Sequence, residues 1–256
     1  MTNDHKGKHG CVNVNQSASR SECVNVPTPG LVPSANVPVT LADITVSDHL
    51  VADIHFPDPV LEIKDIKKRV KIVQCRLLIG PTSDAATGIP LFIKGFIRKN
   101  IQYATPCPHS SSDCVASEMR SLTVDVPFEC VTVITDFLTP PVNPVVNTRA
   151  EFDFFRAQNL GHGFPEKDQL LSSDLSQFHQ VSTQNYNQIP FCELVSSSIV
   201  QWDEAIDRQP LTPHHSPFEE GTFHKIVEKT FLQFRVRVLQ NQQVALNGNG
   251  DDNGNG

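Results

Sequence analysis

The sequence predicts an all-β protein: an antiparallel β-sandwich or split barrel with long loops, at most one or two short helices, and disordered tails. Three observations carry this. Apolar residues recur with a period of two over several long runs, which puts one face of a strand in a core. The 19 prolines, together with abundant Val, Ile and Thr, favour strands and long loops over helices. Hydrophobic residues make up 39% of the chain, enough for a core, while charged residues make up only 19%. A length of 256 residues accommodates one large β domain or two small ones.

The elements follow in order. From Ala42 to Phe56 the even positions Ala42, Ile44, Val46, Leu50, Ala52, Ile54 and Phe56 are apolar, and Asp43, Thr45, His49, Asp53 and His55 lie opposite. Asp48 breaks the pattern and predicts a turn or bulge, and Pro57 and Pro59 predict the strand's end. In KDIKKRVKIVQCRLL, Val70 and Ile72 share one face, while Val73, Cys75, Leu77 and Ile79 share the other. That run is either buried on both faces or shifts phase at a bulge. From Leu91 the odd positions Leu91, Ile93, Gly95, Ile97, Ile101 and Tyr103 form an apolar face, with Lys94, Arg98, Asn100 and Gln102 opposite. Leu122, Val124, Val126, Phe128 and Cys130 alternate with polar residues. Val131, Val133 and Phe137 then fall on odd positions, which predicts a bulge near Cys130 or a strand that switches sheets. Phe191 to Ile206 reads as a further strand. Ile226, Leu232, Phe234, Val236 and Val238 mark the last one, with Lys229, Gln233, Arg235 and Arg237 opposite. Roughly six to eight strands result, in keeping with a sandwich or split barrel.

Residues 1–33 read as a disordered, cysteine-containing tail, with an internal echo, CVNVN at Cys11–Asn15 and CVNVP at Cys23–Pro27. Residues 34–245 read as the β domain, either one unit or two divided near residues 140–150, where Pro140, Pro141 and Pro144 fall. A short helix around Lys167–Gln177, capped by Asp174 or a nearby serine, is the one helical candidate. Residues 246–256, LNGNGDDNGNG, are of low complexity and read as disordered.

Several function classes are disfavoured. A net charge of −7 argues against nucleic-acid binding, which needs a concentrated basic surface. No apolar run is long enough to span a bilayer. The N-terminus lacks the apolar stretch of a signal peptide, so synthesis in the cytoplasm is expected. No GxSxG, GxxxxGK[ST] or GxGxxG motif occurs, so neither a nucleophile elbow nor a phosphate cradle is supported, and no enzyme activity is expected. His214, His215 and His224 lie near Glu219 and Glu220, and His162 sits in a GHG turn. Their spacing is loose, so they read as incidental, and neither metal nor cofactor is expected.

Two features carry chemistry. The basic run Lys64, Lys67, Lys68, Arg69 and Lys71 reads first as a solvated strand edge, where lysines deter edge-to-edge aggregation. In an acidic chain it is also, with Arg98 and Lys99 of the adjoining run, the best candidate surface for an acidic neighbour. The seven cysteines are odd in number and none shows CxxC spacing. Cys75, Cys130 and Cys192 fall in strand-like runs and are expected to be buried. Cys107 and Cys114 bracket a polar loop that a disulfide would close, and Cys11 and Cys23 sit in the tail. Cys11, Cys23, Cys107 and Cys114 are the candidate cross-linking thiols.

KDIKKRVKIVQCRLL followed by LFIKGFIRKNIQYATPC resembles a block of spore coat and exosporium proteins of endospore-forming Firmicutes. The nearest kinds are cysteine-rich exosporium proteins of the CsxC type and proteins carrying the SPOCS (spore coat/SipL) domain. The matching residues are Ile66, Lys67, Lys68, Val70, Cys75, Phe92, Gly95, Phe96, Arg98, Lys99, Asn100, Ile101, Tyr103, Ala104 and Thr105. The later LTVDVPFEC is similar to the strand that follows in these proteins. The resemblance covers about Pro38 to Phe137 and implies a non-catalytic structural role in the outer layers of a spore. It also implies self-association, other coat or exosporium proteins as partners, and production in the mother-cell cytoplasm. The alternative is a β-sandwich module that binds carbohydrate or peptide. Trp202, Tyr103 and Tyr186 are expected in the core, and one of them exposed would favour that alternative.

Overall fold

The computed structural model describes residues 25–28, 32–107, 114–154, 178–211 and 219–246. The helix expected at Lys167–Gln177, and His162, His214, His215, Cys11 and Cys23, lie outside them. The chain divides into two units, Met1–Ser34 with Ala245–Gly256, and Ala35–Val244. In the first, the Leu246 amide donates to the Pro33 carbonyl at 2.8 Å. The rest of the description concerns the second.

Every element among the described residues is a strand. They are β1 (Ser34–Val60), β2 (Glu62–Leu77), β3 (Ile89–Pro106), β4 (Ser117–Ile134), β5 (Thr148–Glu151), β6 (Gln180–Thr183), β7 (Phe191–Ala205), β8 (Gln209–Pro210) and β9 (Gly221–Ala245). One sheet has the order β1-β9-β7, with β8 paired to β9; a second has the order β2-β3-β4; β5 and β6 form a separate two-stranded sheet. Pairing is antiparallel for β2 with β3, β3 with β4 and β7 with β9. β1 and β9 also run in opposite directions, because Arg235 meets Asp43 while Lys225 meets Asp53. The two sheets share one core, in which Leu41 and Val46 of β1 and Leu232, Phe234 and Val236 of β9 pack with Val70 of β2, Leu91, Ile93 and Ile97 of β3 and Phe128 of β4. The fold is therefore an antiparallel β-sandwich.

Residue chemistry explains the strand behaviour. The even positions of β1 point inward as expected, and Asp48 stays in phase, half-buried, without breaking the strand. Nor do Pro57 and Pro59 end it. β1 runs on to Val60 and passes into β2 through Leu61, whose amide donates to the Ala104 carbonyl at 2.9 Å. Proline is tolerated there because β1 is an edge strand, where a missing N–H disrupts no second ladder. In β2 the bulge alternative holds: the register shifts between Ile72 and Gln74, which leaves Val73 exposed and turns Cys75 and Leu77 inward. Gly95 faces this bulge. A Cβ there would lie 2.3 Å from the Lys71 carbonyl oxygen and 2.8 Å from the Phe128 ring, so only glycine fits.

The bulge expected near Cys130 does not occur. The β3–β4 register runs unbroken from Ile89 opposite Ile134 to Pro106 opposite Ser117. Val131 and Val133 simply lie on the outer face and are exposed, while Thr132 and Ile134 keep the inward phase. β4 is an edge strand, which accommodates Pro127 in mid-strand.

Candidate functional site

The basic run is split by the pleat of β2. Lys67, Arg69 and Lys71 alternate on the solvent side, and Arg69 sits opposite Arg98 of β3 in the register. Arg98 makes a two-pronged ion pair with Asp125 of β4, with both contacts at 2.8 Å, and its guanidinium lies 5.2 Å from the Phe96 ring. That pair holds the Asp125 carboxyl below the ordinary aspartate range and the Arg98 guanidinium above its own. Lys94 and Glu129 form a second β3–β4 pair at 3.3 Å. The outer face of this sheet thus grades from cationic at β2 to charge-balanced at β4. Lys67, Arg69 and Lys71 make no ion pair with another described residue. Lys64 is exposed and paired with Glu62.

Two members of the candidate surface lie elsewhere. Lys68 points inward and is half-buried. Lys99 is 0% exposed and is no part of any surface. Its odd position on β3 aims it between the sheets, the same parity that makes Ile97 and Ile101 core residues. There its Nζ contacts Glu228 of β9, which is 1% exposed, and donates to Gln201 Oε1 of β7 at 2.8 Å. This polar layer lies between the main core and a smaller one built on Ile54, Phe56, Ile101 and Tyr103.

The cysteines pair in a way the sequence did not suggest. Cys75 and Cys192 form a disulfide, with Cα atoms 5.9 Å apart and a sequence separation of 117. It joins β2 to β7, one edge strand of each sheet. The loop between Cys107 and Cys114 is not closed by a disulfide, because Cys114 holds a free, exposed thiol. Cys107 is half-buried, its amide donating to the Ala116 carbonyl at 2.8 Å. Cys130 is half-buried against the core rather than fully buried, and burial raises its thiol pKa.

The three aromatic candidates separate. Tyr103 is in the core, its hydroxyl donating to Asp58 at 3.0 Å. Trp202 is 69% exposed and Tyr186 is 91% exposed, so neither has the core place expected of it. Trp202 lines a shallow apolar groove of about 310 Å³ on the outer face of the β1-β9-β7 sheet, with His49, Val51, Val200 and Phe231. Tyr186 borders a polar recess of about 500 Å³ lined by Asn36, Asn143, Asn187, Gln240 and Gln243. The Gln240 side chain anchors that recess, accepting from the Val142 amide at 2.8 Å and donating to the Val142 and Gln188 carbonyls at 3.0 Å each.

Among the described residues no three His, Cys, Asp or Glu side chains converge as metal ligands, and no helix is long and apolar enough to cross a membrane. What these faces define is an antiparallel sandwich clamped covalently at one edge. The chain is 34% identical over 253 residues to Exosporium protein C of Clostridium sporogenes (strain ATCC 15579), an alignment that covers 95% of the chain and 89% of that protein. It belongs to the exosporium protein C family. No family model matches the chain, so the SPOCS likeness rests on the quoted residues alone. No solved structure matches it.

Proposed function

We propose that this protein is a non-catalytic structural component of the spore's outer layers. It would be made in the mother-cell cytoplasm and assembled at the spore surface with copies of itself and other coat or exosporium proteins. The observation that carries the reading is a relative named for the exosporium that aligns over nearly the whole chain. The exposed row Lys67, Arg69 and Lys71, in a chain of net charge −7, supports docking on an acidic neighbour. The exposed Cys114 thiol, with Cys11 and Cys23, supports disulfide cross-linking between chains once the surroundings become oxidising. The decisive experiment follows a fluorescently tagged copy through sporulation. The reading expects a ring at the forespore, and diffuse cytoplasmic signal to the end of sporulation would remove it. Gels run with and without reductant test the thiols, since the triple substitution Cys11→Ser, Cys23→Ser and Cys114→Ser should abolish reductant-sensitive oligomers.

One observation favours a second reading, a binding module for carbohydrate. The recess beside Tyr186 is lined by side-chain amides, and an exposed ring at its rim suits the stacking of a sugar. A glycan array decides between the two. Binding that is lost in Tyr186→Ala supports the module, and an array with no signal leaves the structural role alone.

A further inference from the structure

A lysine with no exposed surface, held against a carboxylate in the middle of a sandwich, is an expensive arrangement in two-sheet proteins. Two desolvated charges regain little of their lost hydration from each other unless every remaining polar atom is satisfied. Here one is not: Glu228 Oε2 is buried without a hydrogen-bond partner. The surroundings are more specific than an ion pair requires. Lys99 Nζ touches Glu228 and lies 2.8 Å from Gln201 Oε1. The other end of the same carboxamide is held, its Nε2 donating to both oxygens of Asp203 at 2.7 and 2.6 Å. Thr230 Oγ1 donates to Glu228 Oε1 at 2.7 Å and fixes that carboxylate. An amine, an acyl group with a leaving nitrogen and a proton acceptor are therefore assembled together, the amine and the acceptor buried and the carboxamide half-buried, with each partner oriented by a neighbour.

We propose that Lys99 and Gln201 join in an intramolecular isopeptide bond, formed once per chain with Glu228 as the proton carrier. The step balances with what is present. Glu228 takes a proton from the Lys99 ammonium, and the free Nζ lone pair attacks Gln201 Cδ. The Nζ–Cδ bond forms and the Cδ–Nε2 bond breaks. Nε2 leaves as ammonia, taking the second proton that Nζ must shed. No oxidant, reductant or cofactor enters. Burial lowers the pKa of Lys99, which favours the neutral, nucleophilic amine. Burial likewise raises that of Asp203, which suits it to hydrogen-bond the departing nitrogen. The product exchanges two buried charges for a neutral amide. It also ties β3 of one sheet to β7 of the other at a second point, away from Cys75–Cys192. This is a self-directed modification without turnover, and it stands or falls independently of where the protein is located.

The test is intact-mass and peptide mass spectrometry of the purified full chain, reduced and denatured. The expected result is a mass lower by one ammonia, with a branched peptide linking the segment around Lys99 to that around Gln201. The branched peptide decides, because the Asn–Gly pairs after Leu246 also lose ammonia by closing to succinimides. Glu228→Gln keeps both reacting groups and should leave the two peptides separate. A folded wild-type chain with Lys99 and Gln201 in separate, unmodified peptides overturns the proposal. So does a loss of water with Lys99 joined to Glu228, which would make the glutamate the acyl partner.

Discussion

Replace Cys75 and Cys192 with alanine and the two sheets lose the tie at their shared edge. The bond closes a loop of 117 residues, and confining an unfolded chain to a loop of that length is worth about 5 kcal/mol in the loop-closure account. If Lys99 and Gln201 are also joined, the disulfide closes only the two shorter arms that remain, and the figure falls to about 4 kcal/mol. Either value exceeds the cost of trimming two half-buried sulfurs, which is of the order of a methyl group each, about 1 kcal/mol. Loss of the link therefore dominates. At about 2–4 °C per kcal/mol for a domain of this size, the double variant should melt at least about 10 °C below the oxidised parent. Equilibrium unfolding in guanidinium supplies a second readout. The midpoint should fall and the slope should rise, because an unlinked chain exposes more surface on unfolding. Wild-type protein unfolded in reductant controls for side-chain effects and should match the variant. Thiol titration must first show the bond intact in the parent. Equal midpoints for the oxidised parent and the double variant would refute the argument.

Three further outcomes follow from the geometry. Gly95→Ala drives a Cβ into the Lys71 carbonyl and should cost about 3 kcal/mol or more, read as a lowered denaturation midpoint or loss of soluble protein. Arg235 holds Asp43 through contacts at 2.6 and 2.9 Å, and its hydrogen bond is the main reason the Asp43 carboxyl sits below the ordinary aspartate value. A depressed carboxyl pKa adds stability above the unfolded value and loses it as pH falls through the folded value. Arg235→Gln should therefore be less stable than the parent at neutral pH and indistinguishable from it in strong acid, as urea midpoints across pH would record. Changing Lys67, Arg69 and Lys71 together to glutamate should leave the circular dichroism spectrum and melting temperature nearly unchanged, since all three are exposed on one outer face. The same change should weaken capture of an acidic polypeptide by at least about tenfold at low salt, with the difference shrinking as salt rises.

The strands were largely legible because alternation is written locally. β3 shows why: each inward residue from Leu91 to Tyr103 could be named from parity. Parity also placed Lys99 inward, but a lysine's usual preference for water led to its being grouped with the surface. The residues that satisfy it there, Gln201 and Glu228, lie more than 100 positions away in sequence. Val131 and Val133 misled in the opposite direction. Valine suits a strand on either face, so a hydrophobic residue on the outside imitated a phase change. The Cys75–Cys192 pairing was illegible because it depends on which strands become sheet edges, and that is settled only when the sheets stack. Trp202 and Tyr186 belong with these cases. Bulk argued for burial, and nothing nearby in sequence marks the groove or the recess they border.

The neighbouring, opposed course of β1 and β9 has a mechanical consequence. The chain enters the Ala35–Val244 unit and leaves it at the same end. A pull applied between those two points peels β1 from β9 one hydrogen-bonded pair at a time instead of shearing the whole ladder at once. Whatever force achieves this, the yield is bounded. Only the stretches before Cys75 and after Cys192 can pay out, and everything between stays behind the disulfide. Under load the unit would therefore lengthen only by those two outer stretches and then stop at a fixed length.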